Sequence, residues 1–234
     1  MRTVGSDGDQ TLRAIRRAAA DLIAEHGFEA MNLRQLAARV GLKVGSLYNY
    51  IGSKQNILYG LILNVMEDLL ETVKVRVLLY EDPLVQFRSF VQLHLQFHIE
   101  RRNDVLIATT ELRSLEPHNL RQIIHLRNRY EATLSQIIRS GCRNGQFQVP
   151  DAKLTALALL PMLTGVAQWY RPDQRLSRDT LLELYVRLAL QLVGASVEKK
   201  LTLLPRDGVE IDRSKADVLR AFGPRGRRIK ASPG

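Results

Sequence analysis

The chain has 234 residues, 45% of them hydrophobic and 25% charged. That composition is globular, excludes a disordered chain, and leaves room for one large domain or two small ones. A single cysteine, Cys142, excludes an internal disulfide and a thiolate zinc cluster, and the net charge of +10 points to a polyanionic partner, nucleic acid first, with plain solubility as the blander account.

The excess charge is uneven: residues 1–60 carry a net +3, residues 61–197 a net +2 and residues 198–234 a net +5. No apolar run approaches the roughly 20 residues a membrane helix needs, and the first ten residues lack the apolar stretch of a secretory signal. A cytoplasmic protein without a membrane partner is expected.

After an N-terminal arm (1–8), helical spacing begins at Asp9 and runs to His26, with Leu12, Ile15, Ala19, Leu22 and Ile23 on one stripe and Gly27 as the stop. Phe28 and Met31 are placed to close a small core. Leu33, Leu36, Ala37 and Val40 repeat at i, i+3, i+4 and i+7 behind Asn32, a good N-cap, and Gly41 can end that helix in the left-handed region. Val44, Leu47 and Ile51 follow. Two short helices across a tight turn make a helix-turn-helix, whose second helix enters the DNA major groove. Its outward positions, Lys43, Gly45, Ser46, Asn49 and Tyr50, are small, polar or cationic. Ser53 then caps a longer helix to about Val77.

Beyond Pro83 every segment reads as helix: Pro83 to Arg102, Asn103 to Leu115, Pro117 to about 141–145, Pro150-Asp151 to Trp169-Tyr170, and Leu181 to about Val197. Pro161 is expected to kink the fourth of these. The longest alternating strand signal is Phe147-Gln148-Val149. The fold class is therefore all-α, with a helix-turn-helix domain over 9–68 and a helical ligand-binding and dimerisation bundle over 69–197. Residues 198–234 read as a basic, irregular tail with at most a helical turn or two at Lys215–Phe222, either a non-specific phosphate contact or simply solvated.

The stretch from His26-Gly27-Phe28 through Asn32 to Lys54 resembles the TetR family of bacterial transcriptional repressors. The family pattern T-x-x-x-I-A-x-x-A-G-V-S-x-G-x-L-Y-x-H-F-x-x-K is met at Leu36-Ala37, Gly41, Gly45, Leu47-Tyr48 and Lys54, with Asn32 for Thr, Tyr50 for His and Ile51 for Phe. The resemblance covers roughly residues 10–60. It implies that Asn32, Arg34, Lys43, Gly45, Ser46, Tyr48, Asn49, Tyr50 and Lys54 form the DNA-contacting set. Lys43, Ser46, Tyr48, Tyr50 and Lys54 would meet phosphates or the groove wall, and Gly45 would allow close approach. Asn49 and Lys43 are the base readers, because Asn pairs with adenine and Lys with guanine. A core aromatic is the plainer reading of Tyr48.

Glu111-Leu112-Arg113-Ser114-Leu115, Leu126 to Glu131, the Gly141 to Phe147 turn and Gly165 to Pro172 resemble the subgroup of that family that senses acyl-CoA thioesters. The resemblance implies an apolar tunnel lined by Phe90, Leu95, Phe97, Leu112, Leu115, Met162 and Val166. Trp169 with Arg113, Arg127, Arg129 or Arg171 would hold the coenzyme moiety at its mouth. His94 and Glu111 join that ligand set. Each Phe or Leu taken alone is as well explained as bundle core.

His94 and His98 stand four apart, a spacing that can chelate a metal, but no Glu or Cys completes a site and pocket lining is the default. There is no Gly-rich phosphate loop, no Gly-x-Ser-x-Gly elbow and no framed pair of carboxylates, so neither an enzyme nor a cofactor is expected. Leu on several faces of 151–170 and 178–197 calls for a partner helix pair, hence a homodimer on a palindromic operator. The expected function is a ligand-responsive repressor that releases a palindromic operator on binding a small apolar effector, an acyl-CoA thioester first. The alternatives are the same fold sensing a drug or other hydrophobic molecule and, remotely, a helical-bundle enzyme or ligand carrier.

Overall fold

The computed structural model describes residues 6–172 and 175–195. Its order is α1 (Ser6–His26), α2 (Leu33–Arg39), α3 (Val44–Leu47), α4 (Lys54–Arg76), α5 (Pro83–Glu100) and α6 (Arg102–Thr110), then a 3₁₀ turn (Leu112–Ser114), α7 (Pro117–Arg143), α8 (Ala152–Thr164), α9 (Val166–Trp169) and α10 (Arg178–Leu192). The described residues hold no strand. None of their helices is long and apolar enough to cross a membrane. The tail over 198–234, with its suggested turns at Lys215–Phe222, lies outside the described residues.

Local chemistry sets most boundaries. Asn32 Oδ1 accepts from Gln35 N at 2.8 Å and Ser53 Oγ from Asn56 N at 3.1 Å, so each fills one of the orphan donors at a helix start. Asp82 and Asp151 cap α5 and α8 in the same way. Pro83 and Pro117 occupy first-turn positions, where no N–H is missed. Gly27 (φ 81°) and Gly41 (φ 69°) stop α1 and α2 in the left-handed region.

Several boundaries differ from expectation. α1 starts at Ser6, three residues ahead of Asp9. Pro161 sits inside α8, and the break falls four residues later at Gly165. A Cβ on Gly165 would stand 3.2 Å from the Pro161 carbonyl oxygen, so the bare backbone is what lets the chain pass and restart as α9. The last helix starts at Arg178, because Ser177 Oγ accepts from Thr180 N at 3.2 Å. It ends at Leu192 rather than near Val197, because Gly194 turns left-handed (φ 64°) and Ala195 N closes back on Leu190 O at 2.9 Å. Phe147–Val149 forms no strand, although Gln148 N does donate to Val193 O at 2.8 Å.

One continuous apolar core runs from Ile15 on α1 to Val193 beyond α10. α1 packs on α2, α4 and α6; α4 continues into the bundle against α5, α6 and α7; α7 and α8 close the far side. α4 therefore belongs to both ends of the molecule.

Candidate DNA-binding head and ligand cavity

In the head, Leu36 and Ala37 on α2 and Leu47 on α3 are buried with Ile15, Ile23, Phe28, Met31 and Ile51. Burying each large side chain contributes roughly 1.5–3 kcal/mol, and together they fix the angle between the two short helices. Leu42 N donates to Ala37 O at 2.9 Å across the turn. The Arg39 guanidinium pairs with Glu25 at 3.1 Å, holding α2 to α1.

The face left outside is the one the sequence marks. Arg34, Lys43, Gly45 and Asn49 are not buried, nor is Asn32, whose Oδ1 is committed to its cap. Ser46 is half-buried. Tyr48 is 52% exposed and Tyr50 38%, so the core reading of Tyr48 fails. Ile51, just past that run, turns inward. Lys54 is half-buried: its Nζ donates to Glu29 O at 3.0 Å and lies 4.5 Å from the Phe28 ring centroid. It braces the start of α4 against the α1–α2 turn.

A cavity of about 360 Å³ lies in the bundle. Ile62, Val65, Met66 and Leu69 of α4, Val105 and Ala108 of α6, Ile123 of α7 and Leu157 and Leu160 of α8 give it apolar walls. His94 supplies a polar end: its Nδ1 is 3.1 Å from the Tyr130 hydroxyl and its Nε2 3.1 Å from Thr164 Oγ1, so the neutral ring donates to one hydroxyl and accepts from the other. His98 stacks on His94 with centroids 3.7 Å apart, and its Nδ1–H donates to His94 O at 2.7 Å. Burial, and the neighbouring His98, hold His94 well below the usual imidazole range; burial brings His98 down to about 4. Burial pushes the Tyr130 hydroxyl up, so it stays protonated. Thr109, Arg127, Glu131 and Gln168 complete the polar lining. Arg127 comes from an exposed stretch of α7, and partial desolvation lowers its pKa. Such a site can enclose an apolar body and hydrogen-bond one carbonyl or hydroxyl. Among the described residues no cluster of three or more His, Cys, Asp or Glu could hold a metal ion.

Of the expected ligand set, the cavity gathers His94 and Arg127. The others do not line it. Phe90 is fully buried behind Tyr130, with centroids 5.0 Å apart; Leu95, Leu115 and Val166 are core. Phe97 lies under the Arg101 guanidinium at 4.9 Å, and Met162 and Leu112 are half-buried against the core. Arg113 is exposed on the 3₁₀ turn and Arg129 on α7. Trp169 is 46% exposed and stacks towards Tyr185, while Arg171 is tied to the Tyr170 carbonyl at 2.9 Å. Glu111 faces the head: its Oε1 is 3.6 Å from where a Cβ on Gly27 would stand, and its Oε2 accepts from Ser114 Oγ at 3.0 Å. Sequence reasoning did not single out Tyr130, Thr164 or Gln168; Tyr130 and Gln168 lie within the stretches that carry the subgroup resemblance, and Thr164 has only the signal of a hydroxyl on a largely apolar helix.

Residues 15–59 match the family model described as bacterial regulatory proteins, tetR family, and residues 80–193 match the tetracyclin repressor-like C-terminal domain. The chain is 23% identical to the HTH-type transcriptional repressor KstR2 of Rhodococcus jostii (strain RHA1), over 80% of this chain and 92% of that protein. It is 32% identical to the TetR family transcriptional regulator PfmR of Thermus thermophilus, over 76% of this chain and 97% of that one, with a TM-score of 0.70. AibR, solved in complex with isovaleryl coenzyme A and operator DNA, shares the fold at a TM-score of 0.71 and 22% identity, over 79% of this chain and 99% of that one.

Proposed function

Because this chain belongs to the TetR family of bacterial transcriptional regulators, we propose that it is a homodimeric repressor that leaves a palindromic operator when a small apolar effector, an acyl-CoA thioester first, enters the bundle. One observation carries the reading. α4 forms the cavity wall through Ile62, Val65, Met66 and Leu69, and the same helix begins at Lys54 beneath the head. A ligand that moves this wall moves the head, and two heads on a dimer match an operator only at one spacing. The head is assigned to 9–68 and the sensing unit to 69–197, with α4 crossing between them. Asn32, Arg34, Lys43, Gly45, Ser46, Tyr48, Asn49 and Tyr50 form the proposed DNA face, with Lys54 at its edge.

The acyl-CoA assignment is supported by the apolar cavity, its polar end and the likeness to AibR, solved with isovaleryl coenzyme A. The dimer is supported by exposed leucines on two neighbouring helices: Leu154 and Leu157 on α8, and Leu184, Leu188 and Leu192 on α10, each at least 40% exposed. A mobility-shift titration on DNA flanking the protein's own gene tests the reading. Specific binding, reversed by acyl-CoAs and not by free coenzyme A, is expected. Release by apolar molecules lacking coenzyme A would move the effector to another class, and no specific shift at all would end the repressor reading.

A further inference from the structure

A second concavity, about 590 Å³, lies outside the apolar cavity, where α1 of the head meets the elbow between α5 and α6. Five arginines border it: Arg13, Arg16 and Arg17 from α1, and Arg101 and Arg102 from the elbow. The acidic residues at its rim do not balance them. Asp104 is taken by Arg101 at 3.0 Å, and Glu100 pairs with Arg178. Arg101 also pairs with Asp68. Among the described residues this leaves Arg13, Arg16, Arg17 and Arg102 without an ion pair, against Asp21 as the one lining carboxylate outside a bridge.

Two of these cations are held at a cost. Burial disfavours the charged form of Arg16. Burial and the charge of Arg171 disfavour that of Arg102, whose Nε is buried with no hydrogen-bond partner among the described residues. Four like charges gathered in a cleft repel one another and raise the local concentration of anions. Planar guanidinium forks match phosphate oxygens bidentately, which suits this cleft to a phosphate group rather than a halide.

We infer that the cleft between α1 and the α5–α6 elbow is a binding site for a phosphate or diphosphate group of a small molecule. It is separate from the apolar cavity, and its occupant ties the reading head to the sensing bundle. The phosphate belongs either to a free phosphorylated molecule or to the far end of an effector whose apolar part lies in the neighbouring cavity. Arg102 stands between the two, since its guanidinium reaches the carbonyl of Gln168, a cavity-lining residue, at 3.5 Å.

The probe is inorganic pyrophosphate, titrated calorimetrically into the full chain at low salt, without DNA or any thioester, so that the result does not depend on the repressor reading. Saturable binding is expected, weakening at least tenfold in Arg16→Gln and again as salt is raised. Arg13→Gln, on an exposed residue, is the companion variant if Arg16→Gln fails to fold, and should weaken binding several-fold. Acyl-CoA that displaces pyrophosphate, and loses affinity in the same variants, assigns the phosphate to the effector. Simultaneous binding of both assigns it to a separate molecule. No saturable pyrophosphate binding, or unchanged binding in both variants, overturns the inference. So does operator affinity that falls in the variants while pyrophosphate does not bind, since the arginines are then a DNA contact.

Discussion

Gln55, the second residue of α4, is a point at which the head and the sensing bundle are joined by a side chain. Its Nε2 donates to Ser114 O at 2.7 Å, and its Oε1 accepts from Glu116 N at 3.3 Å. Ser114 and Glu116 lie on the link out of α6, and α6 carries Val105, Ala108 and Thr109 on the cavity wall. A ligand that shifts α6 therefore pulls on the first turn of α4. Gln55→Ala removes both bonds. Each contributes about 0.5–1.5 kcal/mol net, so the pair is worth about 2 kcal/mol. If that energy differs fully between the two head orientations, its loss shrinks the effector's influence on operator affinity by up to roughly thirtyfold. Fluorescence anisotropy on labelled operator, with and without saturating effector, gives the ratio of the two dissociation constants. We expect this ratio to collapse towards one in the variant while operator affinity without effector changes little. A folded Gln55→Ala protein with an unchanged ratio would refute the coupling role.

Four further outcomes follow from the geometry. Lys54→Ala loses the Glu29 carbonyl bond and the Phe28 contact, so it should cost about 1–2 kcal/mol of head stability and weaken binding to all DNA alike, whereas Asn49→Ala should change sequence preference; equal losses for both across an operator-variant panel would contradict the assignment of Asn49. In Gly141→Ala the new Cβ would lie 2.0 Å from Phe147 Cδ2, so a buried ring must move and unfolding free energy should drop by about 3 kcal/mol in a denaturant titration. His98 is neutral in the fold down to about pH 4, while the unfolded chain protonates it near pH 6.5. The unfolded state thus binds the extra proton between those values, and stability, full above pH 7, should fall by about 2 kcal/mol by pH 5. Buried His94 adds to the same fall, so His98→Phe should make that slope shallower without abolishing it. Leu188→Glu places a charge on the exposed leucine face of α10 and should shift sedimentation from dimer to monomer; an unchanged sedimentation coefficient would place the interface elsewhere.

The head was readable because its signals are local. Asn32 and Ser53 cap, Gly27 and Gly41 turn, and Leu36, Ala37 and Leu47 point inward, each decided by residues within a few positions. The inward contact of Lys54 was not legible. Its partner, the Glu29 carbonyl, is 25 residues away, and nothing in a Lys near a helix start tells an outward contact from an inward one.

The cavity was harder to read because lining a void and filling a core ask for the same side chains. Phe90 and Leu95 on α5 are fully buried, and Ile62 and Val65 on α4 are equally apolar, yet only the α4 pair faces the void. What separates them is how far apart the helices stand. That distance depends on the sum of all the packed volumes and on the break at Gly165, which follows α8 with a short α9 in place of one continuous helix. The polar residues carry more information. His94, Tyr130 and Thr164 come from three helices, at sequence separations of 36 and 70 residues from His94, and each would be costly to bury alone. Their meeting is what makes each of them tolerable. A buried polar residue on an apolar helix face is thus a stronger pointer to a ligand site than the aromatic residues around it, and here it marks the end of the cavity where an effector's own polar atom would replace one partner of His94.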